Sequence, residues 1–277
     1  MRIAEPALAT SAPATSFAAG WKATLSLGFD RIEGRTVLAR KQHDGPLVVQ
    51  RALYPEGDEV CHAIVVHPPA GIAGGDELFL DIEAKQGAFA QLTTPGAGKW
   101  YRSAGPWAAQ RLSFDVQGAL EWLPQETIFF DGALADLSTE VRLGDDARYL
   151  GWEILCFGRS GSGERFTRGA VRLSTRISRN GKLIWLERGR IEGGGRLMQS
   201  HAGLAGHTVC GTLVAAAPGI TPQRAEGLAL TALPGVLVAR YLGDSSEEAK
   251  RLLAGLWGAL RPQLLGREAR EPRIWRT

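Results

Sequence analysis

The acidic side chains set inside apolar stretches have the most chemistry to offer in this sequence. Glu121 and Glu126 lie in the run Leu120-Glu121-Trp122-Leu123-Pro124-Gln125-Glu126-Thr127-Ile128. Glu153 sits in Gly151-Trp152-Glu153-Ile154-Leu155-Cys156, and Glu187 in Trp185-Leu186-Glu187-Arg188. A carboxylate taken out of water without a partner is costly, so each must be paired, hydrogen-bonded or wet. A surface salt bridge satisfies that condition, and so does a water-filled passage. Asp76 ends the loop His67-Pro68-Pro69-Ala70-Gly71-Ile72-Ala73-Gly74-Gly75-Asp76. The prolines stiffen its entry and the glycines permit positive φ, so the loop can fix the direction of the carboxylate. A structural turn and a functional loop are both open. A phosphate cradle fits poorly, because no Gly-Lys-Ser/Thr occurs and no helical pattern follows.

Catalytic constellations are missing. Gly158-Arg159-Ser160-Gly161-Ser162-Gly163 lacks the spacing of a nucleophile elbow, and there is no His-Glu-x-x-His. Cys61, His62 and His67 are metal-capable, but Cys61 and His62 are neighbours in a strand and must point to opposite faces. A metal-independent hydrolase using Asp76 as base is an alternative without a visible nucleophile–base pair. A β-rich interaction module is another. Lys99-Trp100-Tyr101-Arg102 follows the turn Thr94-Pro95-Gly96-Ala97 and combines aromatic with basic residues, as protein interfaces often do. These four are candidate partner-binding residues. The competing reading is a core-anchored turn with Lys99 reaching along it to water.

The elements that must position these groups read as strands. Ala23, Leu25, Leu27 and Phe29 alternate with polar or small residues, the period of a half-buried strand. Short runs follow at Thr36–Arg40, Leu47–Arg51, Val60–Val66, Leu78–Glu83, Ala88–Thr93, Arg111–Val116 and Arg148–Phe157. Ala170–Ser178 and Lys182–Arg188 flank Asn180-Gly181, a strong hairpin signal. Val209–Ala216 and Val236–Tyr241 close the series. Helical spacing appears at Ala249, Leu252, Leu253, Leu256, Trp257 and Leu260, with Ser245 and Glu248 forming a capping box and Pro262 expected to close or kink the helix. A shorter helix is expected over Arg196–Leu204. The 35 glycines of the 277 residues fall between short apolar runs, as turns between strands require.

The net charge of +3, with basic residues spread along the chain, argues against nucleic-acid binding. The late arginines, Arg261, Arg267, Arg270, Arg273 and Arg276, read as solvated surface charge. Three cysteines with no Cys-x-x-Cys pair argue against a disulfide framework and fit a reducing compartment. No apolar run approaches the length of a membrane span. Residues 1–20 read as a flexible tail without an export signal, and 21–277 as one mainly β domain. The expectation is a soluble, cytoplasmic protein.

The motifs, taken in order, resemble the UreD (UreH) family of urease accessory proteins. They are His67-Pro68-Pro69 through Gly74-Gly75-Asp76; Thr93-Thr94-Pro95-Gly96-Ala97; Lys99-Trp100-Tyr101-Arg102-Ser103; Glu121-Trp122-Leu123-Pro124-Gln125-Glu126; Gly151-Trp152-Glu153; and Pro272-Arg273-Ile274-Trp275-Arg276-Thr277. Ala70 departs from a usual Gly and Gly98 from a usual Ser or Thr. The resemblance implies an irregular β-helix-like stack of short-stranded sheets with a small helical part near the C-terminus. It also implies a non-enzymatic scaffold that joins UreF and the GTPase UreG on apo-urease, with nickel supplied through UreE and no permanently bound cofactor. Ni²⁺ accepts carboxylate ligands, and a transfer path must bind weakly enough to release its ion. Asp76, Glu126, Glu153 and Glu187 are therefore the candidate residues of a transient nickel passage.

Overall fold

The structure is a computed structural model and describes residues 20–221 and 224–276. The proposed tail over 1–20 thus lies, Gly20 apart, outside the described residues.

The chain first lays down β1 (Lys22–Ile32), β2 (Arg35–Asp44) and β3 (Val48–Leu53), and then coils. The first turn of the coil is β4 (Val60–Val66), β5 (Gly71–Ile72) and β6 (Glu77–Ala84). The second is β7 (Phe89–Thr93), β8 (Gly98–Trp100) and β9 (Ala108–Val116). The third is β10 (Ala119–Leu123), β11 (Thr127–Phe129) and β12 (Leu134–Leu143). The fourth uses a single long strand, β13 (Arg148–Phe157), which pairs with β10 at its start and with β11 at its end, before β14 (Ala170–Arg179). Equivalent strands stack in parallel, β4-β7-β10-β13 on one side and β6-β9-β12-β14 on the other. Antiparallel strands finish the two sheets. β15 (Lys182–Glu192) returns from β14 through the Asn180-Gly181 turn, where both residues have positive φ (49° and 74°). After the single helical turn α1 (Arg196–Gln199), β16 (Val209–Ala216), β17 (Ala229–Leu233) and β18 (Val236–Gly243) extend the other sheet. The result is seven strands in the order β15-β14-β12-β9-β6-β1-β2 facing an eleven-stranded sheet.

This is the mainly β, coiled stack expected from the resemblance. The strands missed by periodicity are the two- and three-residue corner strands, too short to show a period, together with β10, β12 and β17. In β12, Ala135, Leu137, Val141 and Leu143 are buried, but Thr139 occupies the inward position between them and breaks the apolar alternation. The shorter helix expected over Arg196–Leu204 amounts to α1, and the rest of that span is turn.

Register makes the core. Ile72, Trp100, Phe129 and Phe157 lie side by side in the corner strands of successive turns. Trp100 and Phe129 have ring centroids 6.1 Å apart, and Phe129 stacks on Phe157 at 5.6 Å and 23°. Phe166 leans on both phenylalanines. Each large ring removes apolar area from water and fixes the register of its turn.

The outer face of the larger sheet is covered by α2 (Ser246–Leu265), whose Ser245 cap accepts a hydrogen bond from the Glu248 amide at 3.1 Å. Ala249, Leu253, Leu256, Trp257, Leu260 and Leu264 pack on Leu150, Trp152, Ile154 and Leu213. Pro262 does not close the helix. It runs on to Leu265 and ends at Gly266, which adopts a left-handed conformation (φ 65°). The last residues fold back across the sheet. Trp275 packs against Trp152 and Trp257, and its indole donates to Thr93 Oγ1 at 2.8 Å. No helix among the described residues is long and apolar enough to cross a membrane.

Candidate functional site

Strand alternation sorts the acidic residues to different surfaces. On β13, Tyr149, Glu153, Leu155 and Phe157 point into the coil, while Leu150, Trp152, Ile154 and Cys156 point toward α2. Between the sheets lies a cavity of about 260 Å³. Its lining comes from every turn in succession: Val65 and His67, then Lys99 and Leu112, then Trp122 and Thr139, then Glu153 and Thr175, and finally Glu187, Thr212 and Val214. The cavity therefore extends along the stacking direction of the coil. Most of the wall is aliphatic or aromatic, and its acidic groups are gathered at the β13–β15–β16 end.

At that end Glu153 on β13 pairs in register with Thr212 on β16, and Glu187 on β15 with Thr175 on β14. The two carboxylates thus approach from opposite sheets. Burial, and then the charge of Glu187, raise the Glu153 carboxyl to about 7, against a smaller opposing effect of Arg240. Arg240 on β18 bridges the layers, with Nη1 2.9 Å from Glu187 Oε1 and 3.4 Å from Thr212 Oγ1. Burial, and then the charge of Glu153, push the nearby Cys210 thiol up to about 12, so it is neutral. At the other end His67 lines the cavity, its imidazole pKa lowered by burial.

The remaining candidates lie elsewhere. Asp76 braces its own loop: Oδ1 accepts from the Trp21 amide at 2.8 Å and Oδ2 from the Ala73 amide at 2.7 Å. Both oxygens are used by backbone, so the residue is a turn anchor and does not border the cavity. Glu126 lies on the α2 side of the sheet, where its charge acts with burial to raise the Cys156 thiol and also acts on Lys250. The segment Lys99-Trp100-Tyr101-Arg102 is divided by alternation. Trp100 is 1% exposed and belongs to the aromatic ladder, and Lys99 lines the cavity. Tyr101 is 41% exposed, meets Phe130 edge-on at 5.0 Å and covers Gly71, where a Cβ would fall 2.0 Å from its ring. Arg102 is exposed beside it. Surface contact with a partner is therefore open to Tyr101 and Arg102 and closed to Trp100.

A heavily bonded polar cluster forms around one of the late arginines expected at the surface. Arg261 is 0% exposed. Its Nε lies 3.1 and 3.2 Å from the two oxygens of Glu121, and its Nη1 and Nη2 lie 2.6 and 2.9 Å from those of Glu56. Glu121 also accepts from Gln91 Nε2 at 2.8 Å and Trp257 Nε1 at 2.6 Å, while Glu56 meets His62 Nε2 at 2.7 Å. Cys61 and His62 do face opposite ways, the thiol into the coil and the imidazole toward this cluster. The signal was present: Arg261 follows Trp257 by one helical turn and so falls on the apolar stripe of α2, where a lone charge demands a buried partner.

Among the described residues no three His, Cys, Asp or Glu side chains gather closely enough to hold a metal ion. The site is an elongated cavity inside the coil of stacked strands, with its two carboxylates, Glu153 and Glu187, at one end. That architecture defines a class of coiled, two-sheet β proteins. The chain belongs to the UreD urease accessory protein family, whose model matches residues 22–276. It is 56% identical over 270 residues to a urease accessory protein UreD of Azoarcus sp. (strain BH72), covering 93% of this chain and 95% of that one. It is 54% identical over 273 residues to the UreD of Dechloromonas aromatica (strain RCB), at 93% and 95% coverage. A UreD of Pseudomonas aeruginosa (strain PAO1) is 49% identical over 276 residues, at 96% and 98% coverage. The chain accordingly serves urease maturation as an accessory protein and is not itself a catalyst.

Proposed function

We propose that the protein guides nickel to apo-urease through the axis of its coil, while docked with UreF and the GTPase UreG and supplied through UreE in the cytoplasm. The observation that carries this reading is the lengthwise cavity with Glu153 and Glu187 converging at one end. A borderline dication accepts carboxylate oxygens. Two carboxylates from opposing walls, with no third ligand to close a cage, bind it weakly enough to let it go. Elsewhere the lining offers neutral hydroxyl and amide oxygens, such as those of Thr127, Ser138, Thr139 and Gln110, which hold a dication less strongly than carboxylates. Asp76 and Glu126 lie off this path and are given supporting roles, in the loop and beside α2.

The test is urease activation in cells expressing the whole operon, with the nickel content of purified urease as readout. Glu153→Ala and Glu187→Ala are expected to lower nickel per active site severalfold. Glu126→Ala is expected to leave it near the wild-type level. Full nickel loading with both Glu153 and Glu187 replaced would refute the passage.

A further inference from the structure

The acidic end of the cavity is also where the two sheets reach their free edges. β15 is the last strand of the smaller sheet, and β18 is covered in the larger one only by the five-residue β17. Glu187 and Arg240 stand on these strands and reach across the gap to each other, their side chains 33% and 43% exposed. Glu187 thus lines the cavity, while Arg240 meets it from just beyond the lining, and both side chains are partly in water. Two residues along β15, on the same face as Glu187, Gly189 leaves the space beside it unfilled: a Cβ there would meet no atom within 4 Å. The guanidinium bridges the gap at this point, and its partly solvated position leaves it room to turn outward.

Resting on the passage reading above, we propose that Arg240 is the closing side chain of the passage: its guanidinium occupies Glu187 in the resting protein, and an ion passing this end must displace it. The charges make the exchange reversible. With Arg240 in place, the two carboxylates present at most one uncompensated negative charge. With Arg240 swung away and any Glu153 proton displaced by the incoming ion, they present two, enough to neutralise a divalent cation. Its return restores a cation beside the ion and favours release. Thr212 holds the guanidinium only through a long 3.4 Å contact, so Glu187 is its main anchor. An interlayer ion pair of purely structural purpose would have no reason to end on the carboxylate that lines the cavity. It would also leave metal affinity untouched when removed.

The experiment measures Ni²⁺ binding by competition with a chromophoric chelator. It uses the full chain, purified with whatever accessory partners keep it in solution, and runs alongside the nickel content of urease in cells. Arg240→Gln is expected to bind Ni²⁺ at least tenfold more tightly than wild type and to deliver less nickel to urease. The gain in affinity should vanish in Arg240→Gln/Glu187→Gln. Arg240→Lys keeps the charge but loses the planar fork, and should show a smaller gain; it stands in if the Gln variant misfolds by circular dichroism. Unchanged affinity and unchanged delivery in Arg240→Gln, or in Arg240→Lys where that variant is used, would overturn the gate. If Glu153→Gln and Glu187→Gln impair delivery in the same experiment, the gate alone has failed. If they do not, the passage itself has failed.

Discussion

Replacing Arg261 by Met tests whether the sheet-to-helix contact depends on buried charge. The substitution keeps much of the side-chain volume and removes the guanidinium. Glu121, 0% exposed, then retains only Gln91 and Trp257, and Glu56, with its side chain 6% exposed, retains only His62. Breaking a buried pair by removing one partner costs about 3–5 kcal/mol. The Glu56 carboxyl provides a second route to the magnitude. Burial pushes it up, but hydrogen bonds from His62 and Arg261 outweigh burial and hold it at about 2 against an ordinary 4.5. That difference corresponds to roughly 3 kcal/mol, shared between its two partners. Because the folded value is depressed, this stability is present above pH ~4.5 and is lost as pH falls toward ~2. Urea denaturation at neutral pH should show Arg261→Met destabilised by about 3 kcal/mol or more. Its stability should also fall less steeply than wild type between pH 4.5 and the acid limit. The comparison is Arg251→Ala on the same helix, whose contact with Glu248 is 3.8 Å long and largely exposed, with an expected cost under about 0.5 kcal/mol. A loss below about 1 kcal/mol in Arg261→Met, or equal acid sensitivity in the two proteins, would refute the reasoning.

Further substitutions probe single contacts. Ala70 has φ 58°, where a Cβ is unfavourable, so Ala70→Gly should raise stability by about 0.5–1 kcal/mol in the same denaturation assay. Ser245→Ala removes the side-chain cap of α2 and should cost about 1 kcal/mol. Trp275→Ala removes a ring packed on Trp152 and Trp257 together with its bond to Thr93; a cost of about 3 kcal/mol and altered tryptophan fluorescence are expected. Gly71→Ala drives a methyl into the Tyr101 ring and should increase exposure of Tyr101 to solvent quenchers.

Most long strands and α2 were legible because their apolar periods are intact: Val60–Val66, Arg148–Phe157 and Val209–Ala216 have the expected limits. The corner strands were not, since their register is imposed by the turns above and below and not by local pattern. At the site, the anomaly of Glu153 and Glu187 in apolar runs was visible, but their meeting depends on β15 folding back across the coil. Glu121 raised the same question and has a different answer, a buried arginine 140 residues away. A single strand shows that a carboxylate needs a partner; only the tertiary arrangement shows which one. Trp100 and Tyr101 looked like one aromatic patch, yet neighbours on a strand face opposite sides, and one is core while the other is surface.

The distance in sequence between Arg261 and its carboxylates bears on how the molecule is made. The coil strands leave the ribosome well before the helix that neutralises them, and Trp275 crosses back to Thr93 later still. A nascent chain halted before α2 would carry Glu56 and Glu121 without their counter-charge and an uncovered apolar sheet face. Completion of synthesis and completion of folding are thus tied together, and a prematurely ended copy would be ill-suited to persist and compete for its assembly partners.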